Sequence, residues 1–579
     1  MAELFNFYGR EVIDPGVYSK ILIVGQAEPI PSGVNALMII AEAINGPAFG
    51  ESVAIGNLSG AKLIFGEQGP AIEAVFRALN SSPELSSAQD IRVFNPRALV
   101  AATGIIETTA GGDDAIDIKS RIYGPIGNGI VISLASGLAK VSFPWSDDDF
   151  ERTIDNPVFN IIMPSGYITI GADQISVGPT GALIDFKFLD YPKLIDLINA
   201  IETAIPTVDI VKDATTSDNQ STIDYFDHII GETDISSGLD VKADLWQLVD
   251  FLNLGVYDIE VEKLDTATTM VQDFTLTLSG GTSGTDPDAV QWGKVYEELI
   301  DQKVAVTCPI ADGLAAPYDE TLTKAVMSLD AQHAIAMNQP NIRGKMRQSF
   351  ISIHGGYGWS GKYLTEPTNA DAITTIANLH NSEYVLFFGS GLNALNQAGI
   401  EYAQLPCYFA VQAASMFLGG LASRVLTNQR ATAIKASKKY NYEDTKKLHL
   451  SNVIIPVTDE AGATRIRLMR TTWKTTNEPM KTIPSQVRCA MLTDNDVARK
   501  LEAEMIVYQG LGFAPQNAIM RTFIRRVLET HQKTSINWLE SFGEISFTSS
   551  GVKFEYNIKD QLVPQIAEYG FGEGEFLNA

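Results

Sequence analysis

The sequence contains few of the residues that build metal and thiol centres. It has three cysteines, Cys308, Cys407 and Cys489, among 579 residues, and they form no CxxC or other metal-binding spacing. We expect them to be reduced, buried thiols of a cytosolic protein. The six histidines, at positions 228, 333, 354, 380, 449 and 531, are scattered without ligand spacing. We expect structural or surface roles for them and predict no metal site.

Catalytic motifs are missing as well. The sequence has no GxSxG, no HExxH and no cysteine close to a histidine, so the usual nucleophile and zinc signatures of hydrolases are absent. Its acidic runs at 113–114 and 147–149 lie in loop-like sequence without the EF-hand pattern, and we interpret them as solvated surface. No catalytic residue and no cofactor are predicted.

Positive charge and long apolar runs are scarce too. The formal net charge is −26, which argues against nucleic acid as the main partner because phosphate binding needs a basic surface. The most apolar run, 410–421, is too short to span a bilayer and predicts a buried helix, so we expect no membrane insertion. The first five residues lack a secretion signal pattern. We expect a soluble protein made in a cytoplasm.

The charge is unevenly distributed along the chain. Residues 421–540 hold 19 Lys and Arg against 11 Asp and Glu, a net charge of +8, whereas the first 420 residues carry −30. An acidic body beside a basic module can attract another copy of the chain head to tail. A chance spread of solvated surface charge is the alternative.

Two glycine-rich stretches invite comparison with phosphate-binding loops. Residues 124–129 lack the GxGxxG order, and a predicted strand follows where a helix is required. Residues 279–286 precede a predicted helix but contain no Gly-Lys-Ser/Thr. Turn formation and N-capping by Asp286 or Asp288 explain the second stretch. An anion at the helix N-terminus stays open as an alternative.

Apolar spacing predicts alternating strands and helices in two separate parts of the chain. The first part has strands at 21–24, 36–41 and 90–94 and a helix over 70–79. The second has helices over 289–302 and 322–338 and strands at 304–309, 349–353 and 384–388. This alternation indicates an α/β layer.

The sequence between these parts is rich in Gly, Asp, Thr and Ser and predicts a β-rich insertion of one or two domains. Its predicted strands lie at 115–118, 129–134 and 167–170, and its helices at 191–204 and near 245–252. The last module has predicted helices at 494–511 and 518–540 and strands near 543–548 and 552–559.

Both chain ends are predicted to be extended arms that need a partner strand to become ordered. The first arm, residues 1–18, offers aromatic and aliphatic side chains at Phe5, Phe7, Val12, Val17 and Tyr18. The second arm, 560–579, is a Gly-aromatic tail that contains Phe571 and Phe576.

Four stretches in order carry a family resemblance. The first is 36–66 with the helix segment 73–78, and the second is 116–130, a strand that leads through a Gly-Asn turn into another strand. The third, 274–296, begins Phe-Thr-Leu-Thr-Leu-Ser-Gly-Gly and keeps Gly284 before a predicted helix. The fourth, 413–472, contains Gly419-Gly420, Leu426-Thr427-Asn428, Glu443-Asp444-Thr445 and Arg470-Thr471-Thr472. Together they resemble the contractile tail sheath family, and the third, close to that family's Leu-x-Gly-Gly-x-x-Gly pattern, is the most specific.

The resemblance implies a multi-domain α+β and α/β fold, with a sheath-type core of mixed sheet and helices, β-rich inserted domains and extended terminal arms. The resulting division is an N-terminal arm (1–18), a first α/β part (19–105), an inserted β-rich outer domain (106–215), a second insertion or connecting segment (216–290), a second α/β part (291–430), a tube-facing C-terminal core (431–559) and a C-terminal arm (560–579).

The resemblance also implies a function. A sheath subunit is not an enzyme: it assembles as stacked rings, six-fold and helically arranged, around a tail tube, and its contraction drives the tube through the host envelope. The implied partners are further copies of the chain, the tail tube protein, and baseplate and tail terminator proteins. The implied location is a virion tail assembled in the host cytoplasm. The alternatives are another baseplate or tail assembly protein with a sheath-like core, a headless contractile particle, or an α/β nucleotide-binding enzyme that uses 279–286.

A tube-facing surface is predicted on the helix 518–540. Arg521, Arg525, Arg526 and Lys533 recur at roughly helical spacing. They are expected either to meet an acidic tube surface or to form a solvated helix face.

Overall fold

The computed structural model describes most of the chain. The described residues are 5–7, 10–12, 36–107, 114–146, 149–154, 157–214, 216–223, 225–254, 258–264, 273–338, 345–367, 369–397, 399–420, 422, 424–475, 479–493, 513–533, 539–548, 551–553 and 556–558.

A seven-stranded sheet, here called the central sheet, organises the α/β part. All its neighbouring strands are parallel except the antiparallel edge pair of Ser52–Ile55 with Asp90–Phe94. Two of its inner strands, Ala36–Ile40 and Val385–Phe388, consist entirely of apolar residues, as expected for a parallel sheet that is covered by helices on both faces. The strand order is Val453–Ile454, Val385–Phe388, Gln348–Ser352, Val306–Pro309, Ala36–Ile40, Asp90–Phe94 and Ser52–Ile55.

Helices pack on both faces of the central sheet. The helices Leu58–Phe65, Pro70–Leu79 and Pro406–Leu418 pack on one face with Leu37, Ile39 and Phe350. Every residue of Pro406–Leu418 is buried. The opposite face is covered by Ala289–Glu298 with the short 3-10 turn Leu299–Asp301, and by Glu320–Met337, Ala370–Ala377 and Tyr442–Leu450.

Two further cores lie in the β-rich part of the chain between these elements. The first core is built on two sheets with the helix Asp244–Leu252 and the 3-10 turn Pro125–Gly129. The strands of one sheet are, in order, Phe150–Thr153, Leu138–Ser142, Val131–Ala135 and Phe274–Thr277. Those of the other are Ile259–Lys263, Asp114–Ser120 and Thr103–Glu107. The second core is built on two further sheets with the helix Leu194–Ala204. The strands of one sheet are, in order, Asp209–Lys212, Pro157–Ile162 and Leu239–Lys242. Those of the other are Ile184–Lys187, Gln174–Pro179, Gly166–Ile170 and Ile229–Asp234.

Small sheets and helices complete the described chain. The small sheets are Phe5–Phe7 with Arg10–Val12, Gly356–Tyr357 with Tyr363–Leu364, Glu401–Ala403 with Leu392–Leu395 and Lys435–Ala436, Pro456–Thr458 with Thr464–Ile466, Leu539–Phe542 with Tyr556–Ile558, and Ser546–Thr548 with Gly551–Lys553. The remaining helical segments are the 3-10 turn Pro479–Thr482, residues 484–493, and the helix Phe513–Gln532.

The observed elements follow the predicted pattern closely in the α/β part. The helix over 70–79 and the strand over 90–94 have the predicted bounds, and the predicted buried helix at 410–421 corresponds to Pro406–Leu418. The mixed α/β multi-domain fold class is confirmed. The predicted segments 21–24 and 494–511 lie outside the described residues.

One predicted boundary is wrong. The helix predicted over 518–540 is Phe513–Gln532, and residues 539–542 form a strand instead. Leu539 is buried in the same apolar cluster as Ile524 and Leu528 of the helix. In the sequence, Leu539 therefore continues the apolar spacing of the helix, although it lies on a strand that packs against that helix. In the part of the chain that the structure describes, no helix is both long and apolar enough to cross a membrane.

The packing beneath the central sheet gives a stability prediction. Phe350 is fully buried, and its ring centroid lies 5.8 Å from that of Phe388 and 5.7 Å from that of Phe417. Phe350→Ala leaves a cavity and should lower the free energy of unfolding by ~3–5 kcal/mol, measured as a lower urea midpoint. Val290→Ala, at a side chain that is 69% exposed, is the control and should change it by less than ~0.5 kcal/mol. Equal effects of the two changes would contradict this account.

Candidate functional site

Three of the four family-like stretches meet at one end of the central sheet. The first contributes Glu42 and Asn45, just after the strand Ala36–Ile40, the second contributes the turn 124–129, and the third contributes the loop 278–286. We call this meeting point the motif junction. Arg97, which follows the next strand of the sheet, is at its centre.

Arg97 binds both to carboxylates and to the glycine-rich loop. Its Nη1 lies 2.6 Å from Glu42 Oε2 and 2.5 Å from Asp286 Oδ1. Its Nε and Nη2 donate to the carbonyl oxygens of Ser283 and Gly284, at 2.7 and 2.8 Å. The Arg97 and Glu42 side chains are almost fully buried, so solvent screens their ion pair little, and the same guanidinium holds the loop through the two carbonyl oxygens.

The charged groups at the junction shift each other's pKa. Burial raises the pKa of Glu42 above its ordinary value, although the hydrogen bond from Tyr318 and the charge of Arg97 act in the opposite direction. Burial alone would lower the pKa of Arg97, but Asp286 and Glu42 raise it. Glu42 also accepts from Tyr318 Oη at 2.5 Å and from the Leu314 amide at 3.2 Å, so one carboxylate connects three segments.

The glycines of the third stretch are required by close backbone approach. Gly281 exchanges two hydrogen bonds with the Asn128 side chain, at 2.8 and 2.9 Å, and a Cβ on Gly281 would lie 2.4 Å from the Gly124 carbonyl oxygen. Gly284 has a φ of +65°, and a Cβ there would lie 2.3 Å from the Ala98 carbonyl oxygen. Side chains at these positions would push the loop off the junction.

The loop does not have the geometry of a phosphate cradle. Two of its carbonyl oxygens face the Arg97 guanidinium, whereas a phosphate loop presents amide groups to an anion. The helix that follows begins with Asp288, whose Oδ1 accepts from the Gln291 amide at 2.8 Å. Of the two predicted N-caps, Asp288 is therefore the one observed, and Asp286 pairs with Arg97 instead.

The place where an open α/β sheet usually binds a ligand is filled by protein. That place is the carboxyl end of the strands where the strand order reverses, here between Ala36–Ile40 and Val306–Pro309. Glu42 and Asp312 follow these two strands and are both fully buried beneath Tyr318 and Tyr408. Within the described residues, no group of three or more His, Cys, Asp or Glu could hold a metal ion.

The cysteines and histidines are mostly interior residues. Cys308, Cys407 and Cys489 are buried and unpaired, as expected, and burial raises the pKa of each thiol. Burial lowers the pKa of His333 and His449 to about 3, that of His380 to about 4, and that of His354 below its ordinary value. His531 is buried and His228 is half-buried.

The predicted tube-facing residues lie on and just after the helix Phe513–Gln532, here called the basic helix. Arg521, Arg525 and Arg526 are exposed on it, and Lys533 is exposed directly after its end. The helix buries Ile524 and Leu528. Because Leu528 follows Arg521 by seven residues, Arg521 lies at the margin of this buried stripe, whereas Arg526 lies on the far side of the helix. Glu529 is also exposed, four residues after Arg525 and three after Arg526, so it lies on the same outward face and reduces its positive charge.

The predicted arm residues are only partly described. Phe5, Phe7 and Val12 lie on two short strands that pair with each other, Phe5 opposite Val12 and Phe7 opposite Arg10. Val17, Tyr18, Phe571 and Phe576 lie outside the described residues.

The fourth family-like stretch lies away from the junction and serves packing. Gly419 ends the buried helix Pro406–Leu418, where a Cβ would lie 1.9 Å from the Ser86 carbonyl oxygen. Thr427 Oγ1 accepts from the Met469 amide at 3.1 Å.

Sequence reasoning missed Arg97. The available signal was its position, three residues after a strand of a parallel sheet, where charged side chains collect at the ligand-binding end.

Comparisons with known proteins identify the fold. No protein-family model matches this chain, and no curated protein matches it in sequence. In structure it is similar to a sheath tail protein from Listeria innocua, with a TM-score of 0.52 and 10% sequence identity, covering 91% of this chain and 92% of that one. A sheath tail protein from Desulfitobacterium hafniense gives a TM-score of 0.47 with 11% identity, covering 94% and 97% of the two chains. The contracted helical sheath of the anti-feeding prophage gives a TM-score of 0.34 with 12% identity, covering 48% of this chain and 74% of that one.

The Listeria innocua match extends over almost the whole of both chains, so the resemblance seen in the sequence is confirmed at the level of the fold.

The motif junction gives a test by double substitution. Arg97→Met leaves Glu42 buried without its cation and should lower the free energy of unfolding by ~3–5 kcal/mol. Adding Glu42→Gln removes the unpaired charge but keeps an acceptor for Tyr318, so the double variant should be more stable than Arg97→Met alone. Urea unfolding of the four proteins in the cycle measures the coupling.

The matched control for this cycle is the surface pair of Arg152 with Asp250, 2.8 Å apart and 39% exposed on each side. Arg152→Met should lower the free energy of unfolding by less than ~1 kcal/mol. A double variant no more stable than Arg97→Met would show that the buried pair does not hold the junction.

Proposed function

We propose that this chain is a structural subunit of a contractile tail sheath. The observation that carries the proposal is the fold similarity to the Listeria innocua sheath tail protein across 91% of this chain. In this role the subunit assembles into stacked, helically arranged rings around a tail tube and contracts to drive the tube through a host envelope. It works as part of a virion tail or of a related headless contractile particle, assembled in the host cytoplasm.

The geometry of the central sheet supports a role without catalysis. The ligand-binding end of the sheet is filled by the Glu42–Arg97 pair and by Asp312, and the glycine-rich loop offers carbonyl oxygens to a guanidinium. Neither arrangement leaves a place for a nucleotide phosphate. The α/β enzyme is therefore the weaker proposal.

Subunit linkage is proposed to use the terminal arms, 1–18 and 560–579. A short segment without a core of its own gains order when it adds a strand to a neighbour's sheet, with backbone hydrogen bonds supplying affinity. The pairing of Phe5–Phe7 with Arg10–Val12 gives the first arm an internal partner, but an isolated two-stranded hairpin is marginally stable. Its free edges can accept a neighbour's strand, and a head-to-tail contact that does not close gives a helical polymer.

The charge distribution supports contact between unlike surfaces. Residues 421–540 carry +8 and the first 420 residues carry −30, so two copies attract each other when the basic module of one meets the acidic body of the next. The proposed partners are further copies, a tail tube protein, and baseplate and tail terminator proteins. A baseplate component with the same core is the second candidate, and it would occur as one ring per particle.

Self-assembly is the direct test of this proposal. The purified chain, alone and with its tail tube protein, should form hollow striated tubes in negative-stain electron micrographs. Deletion of residues 1–18 should abolish the tubes and leave monomers, because the linking strands are gone. Tubes formed equally well by the deletion variant would exclude the N-terminal arm as a link. A full-length chain that stays monomeric with the tube protein present would overturn the sheath proposal.

The basic helix gives a second test, on the tube-facing surface. Arg521→Glu with Arg525→Glu reverses the charge of the exposed face that already carries Glu529, and should prevent assembly on tubes through like-charge repulsion. Lys294→Glu with Lys303→Glu makes the same change of charge at two other exposed positions and should assemble normally. Co-sedimentation with tubes at two salt concentrations measures both variants. Normal assembly of the first variant would show that the basic helix is a solvated surface.

A further inference from the structure

Asp312 is a buried carboxylic acid that has no cationic partner in the part of the chain that the structure describes. It follows the strand Val306–Pro309 and is fully buried. Its Oδ2 accepts from the Trp359 amide at 2.8 Å and from Tyr408 Oη at 2.7 Å. Its Oδ1 accepts no hydrogen bond, and among the described residues no Lys or Arg forms an ion pair with it.

The carboxyl group lies where three segments of chain meet. The segments are the loop 310–318, the loop 355–361, and the first turn of the helix Pro406–Leu418. A Cβ on Gly358 would lie 2.5 Å from Asp312 Oδ1 and 2.8 Å from Pro317 Cγ, so the side of the carboxyl group without a hydrogen bond is packed against backbone. Trp359 Nε1 donates to the Gly313 carbonyl oxygen at 2.9 Å, which joins the two loops a second time.

The charged and titratable groups around Asp312 leave its charge uncompensated. Glu42 faces it from the neighbouring strand end and Glu73 from the helix Pro70–Leu79, and both oppose its ionisation. Their cations are already engaged, since Arg97 pairs with Glu42 at 2.6 Å and Arg77 with Glu73 at 2.6 Å. The remaining titratable groups are Tyr318 on its own loop, and Cys407 and Tyr408 on the buried helix.

We propose that Asp312 is a proton-sensitive latch, which holds the three segments together in its uncharged form and loosens their contact when it ionises. If Asp312 is ionised, its Oδ2 still accepts two hydrogen bonds, but its Oδ1 has only packed protein atoms beside it. It would also lie close to two further carboxylates without a cation of its own. Opening the contact lets water reach the charge.

The direction of the pH dependence follows from the burial. Burial raises the pKa of Asp312 from 3.8 to about 7, the two hydrogen bonds lower it, and Glu42 and Glu73 raise it again. The closed state therefore binds one more proton than the open state between pH values of about 4 and about 7. Its stability is greatest at the acidic end of this window and is lost as the pH rises through about 7. The opening equilibrium constant then changes by at most ~tenfold per pH unit.

Other buried acids act in the same direction, so a variant is needed to isolate Asp312. Asp330, which binds Thr307 and Ser349, has its pKa raised by burial to about 6. Asp312→Asn keeps an oxygen acceptor for Trp359 and Tyr408 and removes the titration of Asp312, and its amide nitrogen takes the place of Oδ1. Glu297→Gln is the matched control, because it makes the same carboxyl-to-amide change at an exposed position.

Hydrogen exchange of the full-length purified chain, measured between pH 5 and pH 8, tests the proposal. The reporters are the amides of Gly313, Gly358 and Leu405. The first two donate within their own loops, to the carbonyl oxygens of Ala316 and Lys362, and Leu405 donates to that of Tyr357 between two of the segments. Relative to the strand Gly166–Ile170, their protection factors should fall at least roughly tenfold over this range in the wild type and in Glu297→Gln. In Asp312→Asn the fall should be markedly smaller, because only the other buried acids remain to titrate.

A second variant keeps the proposal testable if Asp312→Asn fails to fold. Tyr408→Phe removes a hydrogen bond that favours the ionised acid, so the midpoint of the protection change should move to higher pH. A wild type without pH dependence, an Asp312→Asn profile equal to that of the wild type, or a Tyr408→Phe midpoint that does not rise would each overturn the latch.

Discussion

The buried ion pair between Glu42 and Arg97 holds the carboxyl ends of the central sheet closed. Two buried charges are stable only when each is well paired, and this pair is completed by Tyr318, Leu314 and two loop carbonyl oxygens. The three segments that supply these groups come from distant parts of the chain. The loop 278–286, at the exit of the β-rich part, is thereby held against the sheet. The turn 124–129 is held there by Asn45 and by the hydrogen bonds between Asn128 and Gly281.

The same Glu42–Arg97 pair also occupies the place where a doubly wound sheet usually binds a ligand. The reversal of strand order opens a crevice at the strand ends, and enzymes with this topology bind substrates there. Here the crevice is filled by Glu42 and Asp312, which bind Tyr318 from the loop 310–318 and Tyr408 from the helix Pro406–Leu418. The polar side chains at the strand ends hold loops in place, which suits a subunit whose proposed role is mechanical.

Much of the α/β part could be predicted because its strands and helices show patterns within short stretches of the sequence. A parallel strand covered on both faces is usually apolar along its length, so runs such as Ala36–Ile40 and Val385–Phe388 stand out in the sequence, although the equally buried Gln348–Ser352 holds three polar residues. The motif junction could not be predicted from Arg97 itself, because its partners lie 55 and 189 residues away and no local pattern links them. The end of the basic helix was misplaced because Leu539 keeps the helical apolar spacing from the strand that packs against the helix.

The similarity of fold to the Listeria innocua protein at only 10% sequence identity has a physical explanation. Core packing tolerates wide exchange among apolar residues of similar size, so most positions of such a fold carry little information about it. Positions where backbone passes against backbone are less tolerant: a Cβ at Gly281, Gly284 or Gly419 would lie within about 2.4 Å of a carbonyl oxygen. These glycines belong to the stretches that revealed the resemblance. The close approach of backbone explains why glycine occupies these positions of the chain.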